Sequence, residues 1–229
     1  MFYQVSKEDE YLFMGKRKRL VEQLRAKGIS DEKVLGAIEK IPRHLFFDQT
    51  TARPALLDHA YSDKALPIGA GQTISHPYTV AFQTQQLDVQ PGEKVLEIGT
   101  GCGYQTAVLV EMKAKVYSIE RQKSLFDKTK LFLPYIGYKS AKLIYGDGYK
   151  GLPQFSPFDK IIVTAGAPYI PNELLAQLKV GGIMLIPIGE GESQEMVWLK
   201  KTDESKFDRK TLGSFKFVPL LQNKENRKL

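Results

Sequence analysis

Val95-Leu96-Glu97-Ile98-Gly99-Thr100-Gly101-Cys102-Gly103 decides the fold of this chain. Val95, Leu96 and Ile98, with one acid among them, read as a buried parallel strand, and the alternating glycines read as a tight strand-to-helix turn. Glycine suits such a turn because it tolerates positive φ and lets the backbone approach a ligand with no Cβ in the way. The next segment, Tyr104-Gln105-Thr106-Ala107-Val108-Leu109-Val110, is apolar enough to be the helix that packs back on the sheet. Strand, glycine turn and helix in that order are the setting of a nucleotide-type cofactor site.

The spacing separates two cofactor classes. A dinucleotide fingerprint, G-x-G-x-x-G, fails from Gly99 and from Gly101, because Gln105 and Thr106 are not glycine. The pattern present is E-x-G-x-G-x-G, with an acid inside the strand. It resembles motif I of the S-adenosylmethionine-dependent methyltransferases, in which that acid, here Glu97, holds the methionine part of the cofactor beside Gly99, Gly101 and Gly103. A second acid, Glu120, ends the apolar run Val116-Tyr117-Ser118-Ile119. It stands close to the roughly 20-residue offset at which an acid meets ribose hydroxyls in such folds. The competing reading is a structural glycine turn in an ordinary α/β protein, and two acids placed at these offsets argue against it.

The chain has 229 residues, enough for one α/β domain with appendages and a full core. Hydrophobic content of 42% and charged content of 26% are those of an ordinary globular protein. No apolar run approaches the roughly 18 residues of a membrane span. The first ten residues are charged early and lack an apolar signal core, so a cytoplasmic location and no membrane partner are expected. One cysteine, Cys102, excludes an internal disulfide and fits a reducing compartment. In the glycine turn it reads as a small filler, with a reactive thiol as the alternative. Net charge of +7 admits nucleic acid, acidic protein segments or solubility alone. Its densest cluster, Lys16-Arg17-Lys18-Arg19, reads as a solvated helix face.

Along the chain, an imperfect helical spacing over about 8–27 and a second helix capped by Ser30 form an N-terminal helical cap, residues 1–66, which ends in an irregular region. A cofactor-binding core follows over 67–190, with C-terminal strands and a tail over 191–229, all in one domain. Ile68 to Pro77 reads as a loop, and Pro77 can start a helix that runs to Leu87. Strands are predicted at 94–98, 115–120, 141–145, 159–164 and 183–188, alternating with helices at 104–112, 122–133 and 171–179. The last helix is read as ending at Gly181-Gly182. Glu195–Lys201 and Phe215–Leu220 are predicted to pair as a hairpin, and Gln222–Leu229 to fray. The fold class is α/β with a mostly parallel, doubly wound sheet and antiparallel C-terminal strands.

Beyond the glycine turn, Gly146-Asp147-Gly148 ends the third strand, where ligands of open parallel sheets bind. Asp147 there could accept from an adenine amino group while Gly148 lets the backbone close on the ring; a plain turn is the alternative. The fourth strand runs into Ala165-Gly166-Ala167-Pro168-Tyr169. Methyltransferases of base amino groups typically carry D/N-P-P-Y/F in this region, whose acid or amide accepts the target's hydrogens. Ala167 offers no acceptor, which argues against base N-methylation and against a nucleic-acid partner. A carboxylate needs no such help, being ionised at neutral pH with a pKa of about 4.

Gly69-Ala70-Gly71-Gln72-Thr73-Ile74-Ser75 is, by its residues, a flexible loop bearing hydroxyls and an amide, able to fold over a cofactor at the sheet's end. As a string, G-x-G-Q-T-I-S-x-P resembles the signature of the protein-L-isoaspartate (D-aspartate) O-methyltransferases. The resemblance extends through Ile41-Pro42-Arg43-His44-Leu45-Phe46, the glycine turn, Gly146-Asp147-Gly148, Leu178-Lys179-Val180-Gly181-Gly182 and Phe217-Val218-Pro219-Leu220, nearly the whole chain in order. It implies a Rossmann-like class I fold, S-adenosyl-L-methionine as cofactor, and age-damaged proteins and peptides containing isoaspartyl residues as substrates. The freed α-carboxylate is methylated, and the ester closes to a succinimide that partly reopens as normal aspartate. Ser75 matches the family's active-site serine, whose hydroxyl would orient that carboxylate. Gln72, Thr73 and Ser75 match the segment that closes over the cofactor, and Val218 a position beside the bound peptide. His76, next to Ser75, is placed with them on the substrate side. Departures are Cys102, where serine is usual, and His76 at a variable position.

The implied chemistry follows from charge. A carboxylate attacks a methyl on a sulfonium cation and both charges vanish, so a site that excludes water and positions the reactants suffices. Neither a metal nor a general base is required, and His44, His59 and His76 lack metal-site spacing. A monomer is expected. A fold that has lost activity and serves only as a binding module is the alternative of a different class; retention of Ser75, Glu97, Glu120 and Asp147 counts against it.

Overall fold

The computed structural model describes residues 7–47 and 57–225. Helices α1 (Lys7–Ala26) and α2 (Glu32–Lys40) come first, followed by a 3-10 turn at Arg43–Leu45. Strands β1 (Leu66–Gly69) and β2 (Gln72–Ile74) then form a separate two-stranded hairpin ahead of α3 (Pro77–Leu87). The remainder alternates: β3 (Lys94–Ile98), α4 (Tyr104–Glu111), β4 (Lys115–Glu120), α5 (Lys123–Tyr135), β5 (Lys142–Tyr145), β6 (Phe158–Val163), α6 (Asn172–Gln177) and β7 (Leu178–Ile188). Two antiparallel strands, β8 (Gln194–Asp203) and β9 (Lys206–Phe215), close the sheet. Its order is β5-β4-β3-β6-β7-β8-β9, with β3 to β7 parallel.

Neighbouring residues of the central strands face opposite sides, so each strand feeds two cores. Val95, Val116, Ile162 and Leu185 pack with apolar residues of α1 to α5, among them Leu24, Leu35, Val80, Val108 and Leu133. Leu96, Ile161, Met184 and Val197 pack on the other face beneath Leu174 of α6, Leu152 and Leu220. Burial on both faces is why the parallel strands carry near-continuous apolar runs.

The structure corrects five sequence expectations. Asp31, not Ser30, caps α2; its carboxylate accepts from Lys33 N at 2.8 Å and Val34 N at 3.3 Å. The expected loop at Gly69–Ser75 is a hairpin, because Ala70 (φ 53°) and Gly71 (φ 68°) both adopt the left-handed conformation of a tight two-residue turn. The helix predicted over 171–179 stops at Gln177, since Leu178 already pairs with Phe158. Gly181-Gly182 therefore lies inside β7: Gly181 takes φ +84° where the β6–β7 register shifts, and a Cβ on Gly182 would come within 2.8 Å of the Asp159 carbonyl, so the pair marks a strand irregularity and not a helix end. The partner of β8 is Lys206–Phe215 and not Phe215–Leu220. Most of β9 is exposed, so it lacks the alternation that marks a half-buried strand.

The fifth correction concerns the C-terminal segment. Residues 216–221 cross the carboxyl end of the sheet, held by Gly166 N to Val218 O at 2.8 Å and Leu220 N to Gly166 O at 2.7 Å. The expected fraying fails for Gln222–Glu225: Asn223 N donates to Asp147 Oδ2 at 3.0 Å and Glu225 N to the Arg121 carbonyl at 2.8 Å. Residues 226–229, the N-terminal extension to Ser6 and residues 48–56 of the expected irregular region lie outside the described residues.

Candidate active site

From β3 the chain builds outward to β4 and β5, then returns to lay β6 and β7 on the other side of β3. Connections leave in opposite directions from β3 and β6, which opens a crevice at their carboxyl ends. A cleft of about 840 Å³, counted to its open mouth, lies there. The glycine turn, Glu120–Gln122, the hairpin strand with Ser75, Thr164-Ala165 and Val218–Leu221 line it.

The glycine turn is held from both sides. Gly99 N and Thr100 N donate to the Ile119 carbonyl at 2.9 and 3.1 Å, which carries the β3–β4 ladder into the turn. Gly99 takes φ +99°, and the Thr164 hydroxyl lies 2.9 Å from the Ile98 carbonyl and 2.8 Å from that of Gly99. Glu120 grips the turn from the other strand: Oε2 accepts from Gly101 N and Oε1 from Gln122 N, each at 2.8 Å. Burial pushes the Glu120 pKa up, and the N–H groups of Gln122, Gly101 and Arg121 oppose that shift. Each carboxylate oxygen keeps a lone pair free for a hydroxyl. Burial pushes the Cys102 thiol up to about 11, so it stays protonated at neutral pH, and the filler reading of Cys102 fits better than the reactive one.

The hairpin reaches the cleft from the cap side. Gln122 Nε2 donates to the Ala70 carbonyl at its tip at 3.3 Å. Ser75 follows β2 and Pro77 opens α3, so Ser75 is fixed between a strand end and a helix start.

Of the residues expected from sequence, Gln72, Thr73, Ser75, Gly99, Gly101, Glu120, Gly148 and Val218 line the cleft, and Glu97, Gly103, Asp147 and His76 do not. Glu97 is fully buried behind the turn, with Thr106 Oγ1 donating to its Oε2 at 2.5 Å. Its Oε1 is buried without a hydrogen-bond partner among the described residues, so the position behind the turn does not displace the expectation that Glu97 holds a cofactor. Gly103 begins α4, where a Cβ would meet Leu133 and Thr129 side chains at 2.9 Å; it serves helix packing. Both Asp147 oxygens accept backbone N–H groups, from Tyr149 at 3.0 Å and Asn223 at 3.0 Å, so it pins the C-terminal segment. His76 precedes α3 without a capping bond from its side chain. Val218 lines the cleft from a bridge segment and not from a strand, since Pro219 opposite Gly166 has no N–H to extend a ladder. His44 is buried and stacked on Phe13 at 3.9 Å between ring centroids, with Nδ1 2.6 Å from the Tyr61 hydroxyl, and His59 is exposed.

Burial drives the Glu97 pKa up to about 8 from an ordinary 4.5, with the Thr106 and Ser118 hydroxyls opposing. The folded state thus binds the proton more tightly than the unfolded chain. Its stabilising contribution is complete below the unfolded value and is lost as pH rises through the folded one, at up to about 1.4 kcal/mol per pH unit. Glu97→Gln should remove this slope, so that the urea midpoint of the variant gains on the parent between about pH 5 and about pH 8. Parallel midpoint curves would show that Glu97 is ionised in the fold.

Thr164, Gln122 and Leu220 line the cleft without having been singled out from the sequence. Thr164 had one available signal, since it is the first residue past a buried strand at the carboxyl edge. Gln122 and Leu220 had none, because their roles depend on which strands become neighbours.

A sequence profile of the protein-L-isoaspartate(D-aspartate) O-methyltransferases matches residues 15–225. The chain belongs to that family. A protein-L-isoaspartate O-methyltransferase of Christiangramia forsetii is 56% identical over 217 residues, covering 95% of this chain and 99% of that one. One of Flavobacterium psychrophilum is 58% identical over 210 residues, 92% and 96% of the two chains. Among solved structures, a protein-L-isoaspartate O-methyltransferase superposes with a TM-score of 0.81 at 31% identity, over 90% of this chain and 66% of that one. A putative family member from Plasmodium falciparum, in complex with S-adenosyl-L-homocysteine, gives 0.77 at 25% identity, over 90% and 99%. Family likeness therefore takes in the helical cap and the C-terminal segment as well as the glycine turn.

Proposed function

We propose that the chain transfers a methyl group from S-adenosyl-L-methionine to the free α-carboxylate of L-isoaspartyl residues in damaged proteins and peptides, starting repair through a succinimide. The observation that carries this reading is that Ser75 shares one cleft with the glycine turn and Glu120. The residues present fit the cofactor. A Cβ on Gly99 would sit 2.4 Å from Thr164 Oγ1, so the turn is built for bare backbone beside the cleft. Ile98, Ile119 and Leu220 offer apolar surface to a ring, and Glu120 offers carboxylate oxygens to ribose hydroxyls.

Bound there, the cofactor would supply an electrophilic methyl on a sulfonium centre. Glu120, Gly99, Gly101 and Gly148 would hold it, while Gln72 and Thr73 cover it from the hairpin. The Ser75 hydroxyl would donate to one oxygen of the isoaspartyl carboxylate and aim the other, with Val218 as the opposite wall. No proton has to leave this nucleophile, so the chain's task is orientation and exclusion of water. The side chains at the end of β6 agree with this: Thr164 and Ala165 line the cleft, and Ala167 is buried behind it. We further infer a single methyltransferase domain that works as a monomer in the cytoplasm; among the described residues no helix is long and apolar enough to cross a membrane.

The test is a pair of peptides identical except for one aspartyl linkage, incubated with methyl-labelled cofactor. Base-labile label on the isoaspartyl peptide and none on its normal twin is the expected result. Equal labelling of both, or of neither, refutes the function.

A further inference from the structure

Arg43 is fully buried and lies outside the cleft. Its Nε donates to the Ala60 carbonyl at 3.0 Å, and its Nη2 to the carbonyls of Lys64 at 3.2 Å and Ser75 at 2.9 Å. Ala60 and Lys64 lie on the approach to β1, and Ser75 follows β2, so one guanidinium ties both ends of the hairpin together at its base. The plane also sits 4.7 Å from the ring centroid of Tyr104, the first residue of α4 after the glycine turn. Thus a single side chain joins the cap, the Ser75 segment and the cofactor helix.

A buried guanidinium costs several kcal/mol in desolvation, and an apolar side chain would fill the same volume more cheaply. Burial does pull its pKa down from the usual value. What the guanidinium offers in exchange is geometry. Its rigid planar fork reaches three carbonyls on irregular backbone at once, which a lysine ammonium on a flexible stem does not reproduce. Those carbonyls belong to no ladder, so without Arg43 the backbone at Ser75 has one tether fewer.

We propose that Arg43 is a positioning residue for methyl transfer: by fixing the Ser75 carbonyl it sets where the Ser75 hydroxyl points. This rests on the reading of Ser75 given above. A misplacement of about 1 Å at a reacting centre can cost on the order of a hundredfold, so the effect should be measurable in rate with little change in cofactor affinity.

The experiment is a double-mutant cycle between Arg43→Lys and Ser75→Ala, with Arg43→Gln as a second variant. Alone, Arg43→Lys should lower kcat on an isoaspartyl peptide by about 30-fold, with KM and the Kd for S-adenosylhomocysteine each moving less than about threefold. In the Ser75→Ala background the same change should cost less than about threefold, because the group it positions is gone. Losses that multiply in the double variant, or an unchanged rate in Arg43→Lys, would overturn the proposal. So would loss of folding in both Arg43 variants, which would make the residue structural. Full activity of Ser75→Ala alone would instead sink the reading of Ser75 itself.

Discussion

Ser75→Ala should lower methyl transfer to an isoaspartyl peptide by roughly 10- to 100-fold while the Kd for S-adenosylhomocysteine moves less than about threefold. The size follows from what is removed, one hydrogen bond to a charged group, worth about 1.5–3 kcal/mol, with each 1.4 kcal/mol a factor of ten in rate. The selectivity follows from placement. Gly99, Gly101 and Glu120, proposed to hold the cofactor, reach the cleft from the ends of β3 and β4, whereas Ser75 comes from the hairpin side. The backbone there should stay in place, because Arg43 bonds the carbonyl of residue 75 and Pro77 fixes the start of α3 whatever the side chain. Initial rates with labelled cofactor and calorimetric titration of S-adenosylhomocysteine are the measurements. Undiminished turnover in this variant would remove Ser75 from the chemistry, and a matching loss of cofactor affinity would make it a binding residue only.

Local pattern in the sequence suffices where the cause of structure is local. β3, the glycine turn and α4 were legible because a buried parallel strand must be apolar on both faces and a tight turn beside backbone must be glycine. Pro77 at the head of α3 was legible for the same kind of reason, since its missing N–H costs nothing at a first helical position. Where the cause is a distant partner, the pattern misleads. Gly181-Gly182 reads as a helix stop until Asp159 is seen packing against Gly182 from β6. Phe217 to Leu220 has strand-like residues, yet it makes only an isolated bridge to Gly166, and Pro219 has no N–H with which to extend it. β9 is the converse, a ten-residue strand with an exposed, charged surface, formed because β8 offers it a free edge.

The candidate site divides in the same way. Motif spacing located the turn, Glu120 and Ser75, but could not say which side of the backbone an acid would face. Glu97 alternates away from the cleft and meets Thr106, although its spacing to the glycines is that of a ligand-holding acid. Asp147, read as a ring contact, accepts one backbone N–H on each oxygen, and the bond from Asn223 ties the C-terminal segment to the rim. Arg43 was visible within a shared string of residues, but its role is set by three carbonyls far along the chain.

Gly99→Ala is the second change expected to have a large effect, this time on the cofactor side. Two costs coincide at this position. An L-residue at φ +99° is strained by about 1–3 kcal/mol, and the new methyl would lie 2.4 Å from Thr164 Oγ1. That hydroxyl cannot step aside without losing its contacts to the Ile98 and Gly99 carbonyls, so the turn itself must move. The Kd for S-adenosylhomocysteine should rise about 30-fold or more, equivalent to about 2 kcal/mol. Gly137→Ala separates the two costs: it has φ +101° and nothing within 4 Å of the added Cβ, so it should lose stability and keep cofactor affinity. Thr164→Ala within Gly99→Ala separates them again. With Oγ1 gone, the next contact is the Thr164 Cβ at 3.7 Å, an ordinary van der Waals distance, so the double variant should bind more tightly than Gly99→Ala alone. If affinity in the double variant does not recover, the strain of the left-handed backbone, and not the approach of β6, is what keeps residue 99 glycine.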